Sequence, residues 1–232
     1  MDVLTDDHER EEAVRHWWHE NWKPIALGIA IALAGLIGFR QYQSYTLHKA
    51  QDQAYEMYTL QYRLSKEDAK AREDSEAFLK AHDDIYGSLL ALDLVTLDIA
   101  KKDYEAAATH ARFAVKNGGD LVSPSASLTL ARVLTEQKQY DEALGILKGI
   151  TQDAYAAQRE ELRGDVLLQK GDRDGARTAY LESVKLLNAA KQQVSGVLQM
   201  KLDSVAAAGD KPAFELVKAT DKEQALKEAK AD

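Results

Sequence analysis

The sequence predicts an all-α chain, a single N-terminal transmembrane helix followed by a solenoid of short helical hairpins. Three observations carry that prediction. Residues Ile25 to Phe39 contain no charged or polar side chain. Only three prolines occur in 232 residues (Pro24, Pro124 and Pro212), and the long stretches between them are rich in Ala, Leu, Glu, Lys and Gln, the residues with the best helix propensity. Small residues also recur at a fixed spacing from Val95 onward.

The apolar core lengthens to a stretch from Trp22 to Tyr42 if Lys23 and Arg40 snorkel to the headgroups. At about 1.5 Å per residue such a helix covers roughly 30 Å, the hydrocarbon thickness of a bilayer. All three tryptophans, Trp17, Trp18 and Trp22, precede it, and Tyr42 and Tyr45 follow it, where amphipathic rings settle at headgroup depth. Pro24 is expected to open the helix, where a missing N–H costs least. Two other readings compete. Ala32-Leu33-Ala34 fits a signal-peptide cleavage pattern, but the region before it is long and acidic and the apolar run continues past the cut. A buried helix of a soluble core would need comparably apolar partners, and nothing downstream supplies them. Arg10, Arg15 and Lys23 precede the span while Arg40 and Lys49 follow it, so positive-inside bias sends the N-terminus to the cytoplasm by one charge. Residues 1–22 are then a cytoplasmic segment and 23–42 the anchor. Ala26, Ala30, Ala34 and Gly38 fall four apart and form a ridge of small residues, a surface on which membrane helices pack. Ala and Gly are also simply common in membrane helices.

No Gly or Pro interrupts the chain between Phe39 and Tyr86, so the anchor helix is expected to run on into water. A break is expected around Ser65 to Asp68, with Ser65 capping a second helix that reaches His82. Beyond that the chain repeats. Val95 and Ala107, Ala131 and Ala143, and Gly164 and Ala176 are each 12 apart, and successive pairs lie 36 and 33 residues apart. Those distances straddle the 34-residue tetratricopeptide period. The chemistry is packing: a bulky residue at the first position would push the two helices of a hairpin beyond their usual separation. Lys101-Lys102-Asp103, Gln137-Lys138-Gln139 and Lys170-Gly171-Asp172 are the turns between them. Ala111 and Ala114, Leu147 and Ile150, and Tyr180 continue the inner face of the second helices. Asp98 falls where a large apolar side chain belongs, and Arg163 stands in place of the usual leucine. A generic bundle with fortuitous spacing is the competing reading. The tetratricopeptide-like α-solenoid spans 43–208, capped by the helices from Leu47 to His82 at one end and by Ala189 to Ala206, with Val194, Val197, Leu198, Met200, Leu202 and Val205, at the other. Gly209-Asp210-Lys211-Pro212 breaks the last helix, and 209–232 is a charged tail whose stretch Thr220 to Asp232 is either a frayed helix or disordered.

Net charge is −8 and the isoelectric point is near 5.3, which argues against nucleic acid and against a polybasic lipid-binding surface. The chain lacks cysteine, so thiolate metal sites, disulfides and Cys nucleophiles are excluded. Among the histidines only His16 and His19 share a helix face, and no carboxylate is placed to complete a metal site. Gly28, Gly35 and Gly38 lie inside an apolar helix and make no phosphate-cradling loop. No catalytic residue, metal site, cofactor or small-molecule substrate is expected.

The acidic N-terminus, the span ending Leu36-Ile37-Gly38-Phe39-Arg40 and the degenerate repeats occur together with several specific blocks. These are Leu130-Ala131-Arg132-Val133, Leu162-Arg163-Gly164-Asp165, Lys170-Gly171-Asp172, Gly175-Ala176-Arg177 and Leu198-Gln199-Met200-Lys201-Leu202. In that order they resemble the ancillary SecYEG translocon subunit family over residues 8–207, with an extension after Ala208. The resemblance implies a bacterial inner-membrane protein whose C-terminal domain is periplasmic. It implies two protein partners, the SecYEG translocon and a membrane-anchored periplasmic parvulin-type chaperone, and a role in passing secretory chains to periplasmic folding factors. From the residues alone the reading is a membrane-tethered, non-enzymatic scaffold; a scaffold for another envelope assembly, or an enzyme with a cryptic site, are the alternatives. In tetratricopeptide geometry the inward positions are Thr96 and Ile99, Arg132 and Thr135, and Asp165 and Leu168, the expected partner-binding wall.

Overall fold

The computed structural model describes residues 3–207, 211–215 and 217, with side chains from residue 11 onward. Contact divides the chain into two units, Met1–Glu56 and Met57–Asp232. α1 runs Val3–Ser65, with the residues to Glu56 counted in the first unit and those from Met57 in the second. It is long and apolar enough to cross a bilayer, and its apolar stretch buries nothing within the protein. Leu33, Leu36, Ile37 and Phe39 are all more than half exposed, which overturns the reading as a core helix of a soluble protein. Pro24 lies well inside α1 and not at its start. The Glu20 carbonyl, four residues earlier, therefore lacks its helical donor, a defect that membrane helices tolerate.

The second unit is a run of antiparallel hairpins. After the end of α1 come α2 (Ala71–Ala81), α3 (Ile85–Ala100), α4 (Tyr104–Asn117), α5 (Gly119–Glu136) and α6 (Tyr140–Lys148). A single 3₁₀ turn at Asp153–Tyr155 leads to α7 (Ala156–Lys170), α8 (Arg173–Ala189) and α9 (Gly196–Ser204). No strand occurs among the described residues. α3 packs on α4, α5 on α6 and α7 on α8 as hairpins, while α3 also meets α5 and α5 meets α7. That is the solenoid arrangement, with each first helix stacked on the next.

Local chemistry explains the recurring turn. At the ends of α3, α5 and α7 the chain steps into the left-handed region at Lys102 (φ 60°), Lys138 (φ 62°) and Gly171 (φ 96°). The following N–H reaches back five residues each time: Asp103 to the Asp98 carbonyl, Gln139 to Leu134 and Asp172 to Leu167, at 2.8–2.9 Å. These are the same Schellman stop in three copies, 36 and 33 residues apart. Asp103 and Asp172 then cap the next helix by accepting from the Ala106 and Gly175 N–H groups.

Val95, Ala107, Ala131 and Ala143 are buried together in one cluster spanning α3 to α7. Ala176 and Tyr180 are buried in the next cluster, over α7 to α9. At Gly164 the close approach is to the Tyr180 ring, one turn beyond Ala176. A Cβ at Gly164 would lie 2.3 Å from a ring carbon. The two departures from the repeat are resolved by ion pairs. Asp98, 1% exposed, is bonded by Arg72 of α2 (2.6 Å) and by His110 of α4 (2.7 Å). Arg163 pairs with Glu160 at 2.6 Å, and Glu160 also meets Arg159, whose guanidinium donates to the Ile150 carbonyl.

Two expectations about the caps are corrected. Ser65 closes α1, donating to the Tyr62 carbonyl, and α2 begins only at Ala71. Asp68 supplies the turn chemistry, pairing with Arg63 and accepting from the Lys70 N–H. Between Ala190 and Ala206 helix is confined to Gly196–Ser204, capped by Ser195, with Val194 buried in the preceding loop. Of the apolar residues expected to cap there, Val197 and Met200 are exposed. Thr220 to Asp232, expected as a frayed helix or disordered, lie outside the described residues.

Candidate functional site

A groove runs between α5 and α7 and is closed by α9. One stretch of about 330 Å³ is lined by Arg132, Thr135, Asp165, Leu168, Tyr180 and Lys201, among others. A second, of about 450 Å³, shares Arg132, Leu162, Asp165 and Lys201 and extends to Thr129 and Gln158. The helical repeat explains the assembly. Arg132 and Thr135 lie on α5 and Asp165 and Leu168 on α7, and these first helices of successive hairpins stack.

The groove is polar on one side and aliphatic along Leu162 and Leu168. Its carboxylates are already engaged. Lys201 donates to Glu161 and to Asp165 at 2.8 Å each, and Tyr180 donates its hydroxyl to Asp165 at 2.9 Å. Burial works against the charge on Lys201, but its hydrogen bonds to Asp165 and Glu161 prevail and hold the ammonium above the ordinary lysine range. Burial, with the bonded Asp165 carboxylate, pushes the Tyr180 hydroxyl well above the ordinary phenol range, so it serves as a fixed donor. The Arg132 guanidinium, by contrast, makes no hydrogen bond or ion pair with the described residues.

Four of the six residues expected on the wall, Arg132, Thr135, Asp165 and Leu168, meet in this groove. Thr135 offers little to a partner, since it is 3% exposed and its hydroxyl donates to the Ala131 carbonyl of its own helix. Thr96 and Ile99 of α3 are exposed but line neither stretch, and the Thr96 hydroxyl is turned back to the Leu92 carbonyl. Sequence reasoning missed Glu161, Tyr180 and Lys201. Glu161 and Asp165 are one turn apart on α7, a spacing that puts both carboxylates on one face, and that signal was readable. Lys201 was not, because its placement depends on where α9 begins. Among the described residues no group of three or more His, Asp or Glu side chains is gathered as a metal site.

On α1, Ala26, Ala30, Ala34 and Gly38 are exposed, and a Cβ at Gly38 would meet no atom within 4 Å.

Residues 15–207 match the family model described as a tetratricopeptide repeat-like domain. The chain is 29% identical to the ancillary SecYEG translocon subunit of Escherichia coli (strain K12) over 206 residues, covering 88% of this chain and 99% of that protein. It is 28% identical to the protein of the same name from Aggregatibacter actinomycetemcomitans, covering 88% and 100%. The Haemophilus influenzae protein of that name is 23% identical, again over 88% and 100%. No solved structure gives a significant match.

Proposed function

The chain belongs to the tetratricopeptide repeat-like domain family, and from that premise we propose that it is a non-enzymatic scaffold tethered to the bacterial inner membrane beside the SecYEG translocon. The solenoid lies in the periplasm and the short N-terminal segment in the cytoplasm. There the solenoid links translocation to a membrane-anchored parvulin-type chaperone. One observation carries this reading: a groove built by stacked first helices follows an unburied apolar helix, in a chain whose relatives are named as translocon subunits. The groove is the surface for protein partners, and the small-residue ridge on α1 is the surface for a partner's membrane helix.

Two experiments test it. For topology, alkaline phosphatase fused after Asp232 is expected to be active, because that reporter folds only in an oxidising compartment. An inactive phosphatase together with a fluorescent cytoplasmic reporter at the same site overturns the orientation. For function, the tagged full-length protein in mild detergent is expected to recover the translocon and the chaperone. Arg132→Glu reverses the groove's unpaired positive charge, and Gly38→Leu fills the ridge at a position where a Cβ meets no other part of the chain. Each is expected to lower that recovery severalfold while the protein stays inserted and folded. Recovery equal to the unmodified protein from both variants would place the binding surface elsewhere.

A further inference from the structure

We infer that the groove between α5, α7 and α9 reads an internal acidic side chain of an extended partner segment, an aspartate or glutamate flanked by an aliphatic residue. This rests on the scaffold reading above and names the chemistry its groove takes. The carboxylate is received by Arg132, and the aliphatic neighbour lies on Leu168, which is only partly buried. The inference stands on which groups are engaged. Glu161 and Asp165 share the Lys201 ammonium, and Asp165 also accepts from Tyr180, so both carboxylates are already engaged within the protein. Lys201 is spent on the same two groups. Arg132 lines both stretches of the groove and has no partner among the described residues. Its planar fork suits a carboxylate, and a hydrogen bond between charged groups is worth more than a neutral one.

The same arrangement selects against a free C-terminus. A terminal residue with an acidic side chain brings two carboxylates, which need two free cations, and the groove offers one. Glu136, Glu161 and Asp165 stand around it and disfavour a second negative charge. Glu136 lies one turn beyond Arg132 on α5 and makes no ion pair there. It is the one groove carboxylate placed to compete for Arg132 along the same helix face.

The full-length protein in detergent is titrated into a fluorescent peptide, blocked at both ends, that carries one aspartate between two leucines. Its partner probe has asparagine in place of aspartate. The acidic peptide is expected to bind about tenfold more tightly, the scale of one charge-assisted hydrogen-bond pair. Arg132→Gln is expected to erase that difference, and Glu136→Gln to widen it. Equal binding of the two peptides, or no saturable binding of either, overturns the site. So does a persisting difference in Arg132→Gln, or a preference for the same peptide with its C-terminus unblocked. Recovery of the translocon is read separately on the same preparations. Retained recovery with indifferent peptide binding therefore sinks this site and leaves the scaffold reading standing.

Discussion

Gly164→Ala is expected to destabilise the solenoid by about 1–3 kcal/mol, the usual cost of overpacking a filled interior. The added methyl would lie 2.3 Å from one carbon of the Tyr180 ring and 2.5 Å from another. That ring cannot step aside easily, because Tyr180 is fully buried and its hydroxyl is fixed on Asp165 at 2.9 Å. A loss of this size lowers the melting temperature by roughly 2–12 °C for a domain of such length. Gly145 provides the control. It lies in α6, is exposed, and a Cβ there meets nothing within 4 Å. Gly145→Ala is expected to stabilise by about 0.5–1 kcal/mol, because glycine inside a helix loses more backbone freedom on folding. The same substitution thus has opposite signs at two helical glycines. Melting curves of the full-length protein in detergent, followed by far-UV circular dichroism, decide it. If Gly164→Ala melts no lower than Gly145→Ala, α7 does not rest on the Tyr180 ring. Pairing Gly164→Ala with Tyr180→Leu is expected to cost less than the sum of the single changes, since one removes what the other strikes.

The repeat was legible because its signal is steric. A small or medium residue and an alanine 12 apart recur in each of the three copies, and the polar turns between them fall in register. The Schellman stops at Lys102 and Lys138 were less legible, since a lysine gives no hint that it will adopt φ near 60°. Gly171, in the same place in the third copy, is the residue that betrays the motif. Pro24 misled because a proline before an apolar run is as expected at a helix start as within a membrane helix. The acidic residues upstream gave no break that would have decided between them. Of the groove, what depends on one helix face was readable: Arg132 with Thr135, and Asp165 with Leu168. Tyr180 was recognised as inner-face packing, but its polar end was not seen to emerge beside Asp165. Lys201 arrives from a helix whose start is set by Ser195 after a loop, and loop paths leave no periodicity to follow.

Asp98 is the second position where a large effect is expected. The repeat pattern would put an apolar side chain there, so Asp98→Leu would look like a return to the rule. It is expected instead to cost about 3 kcal/mol, near the low end for breaking a buried ion pair by removing one partner. Arg72 and His110 both aim their donors at Asp98, at 2.6 and 2.7 Å. A carboxylate can only accept, so His110 presents Nδ1 with its proton. The hydrogen bond it donates to Asp98 is the main reason that the Arg72 guanidinium is held even further above its ordinary range, against the pull of burial. With leucine at 98 the His110 donor, on a side chain only 12% exposed, is left facing an apolar group. Arg72 is about one third exposed and also reaches Glu76, so it can turn to water, which keeps the cost from the top of the range. Asp98→Asn keeps the shape but loses the charge, and is expected to fall between leucine and the unmodified protein. Replacing Arg72, Asp98 and His110 together by apolar residues of similar volume is expected to recover most of the loss, because no donor is then stranded. Denaturant midpoints for the four proteins, measured in the same detergent, give the order directly. A single Asp98→Leu change as stable as the unmodified chain would mean that the three side chains do not hold α2, α3 and α4 together, and that α2 is kept in place by Phe78 and Leu79 packing alone.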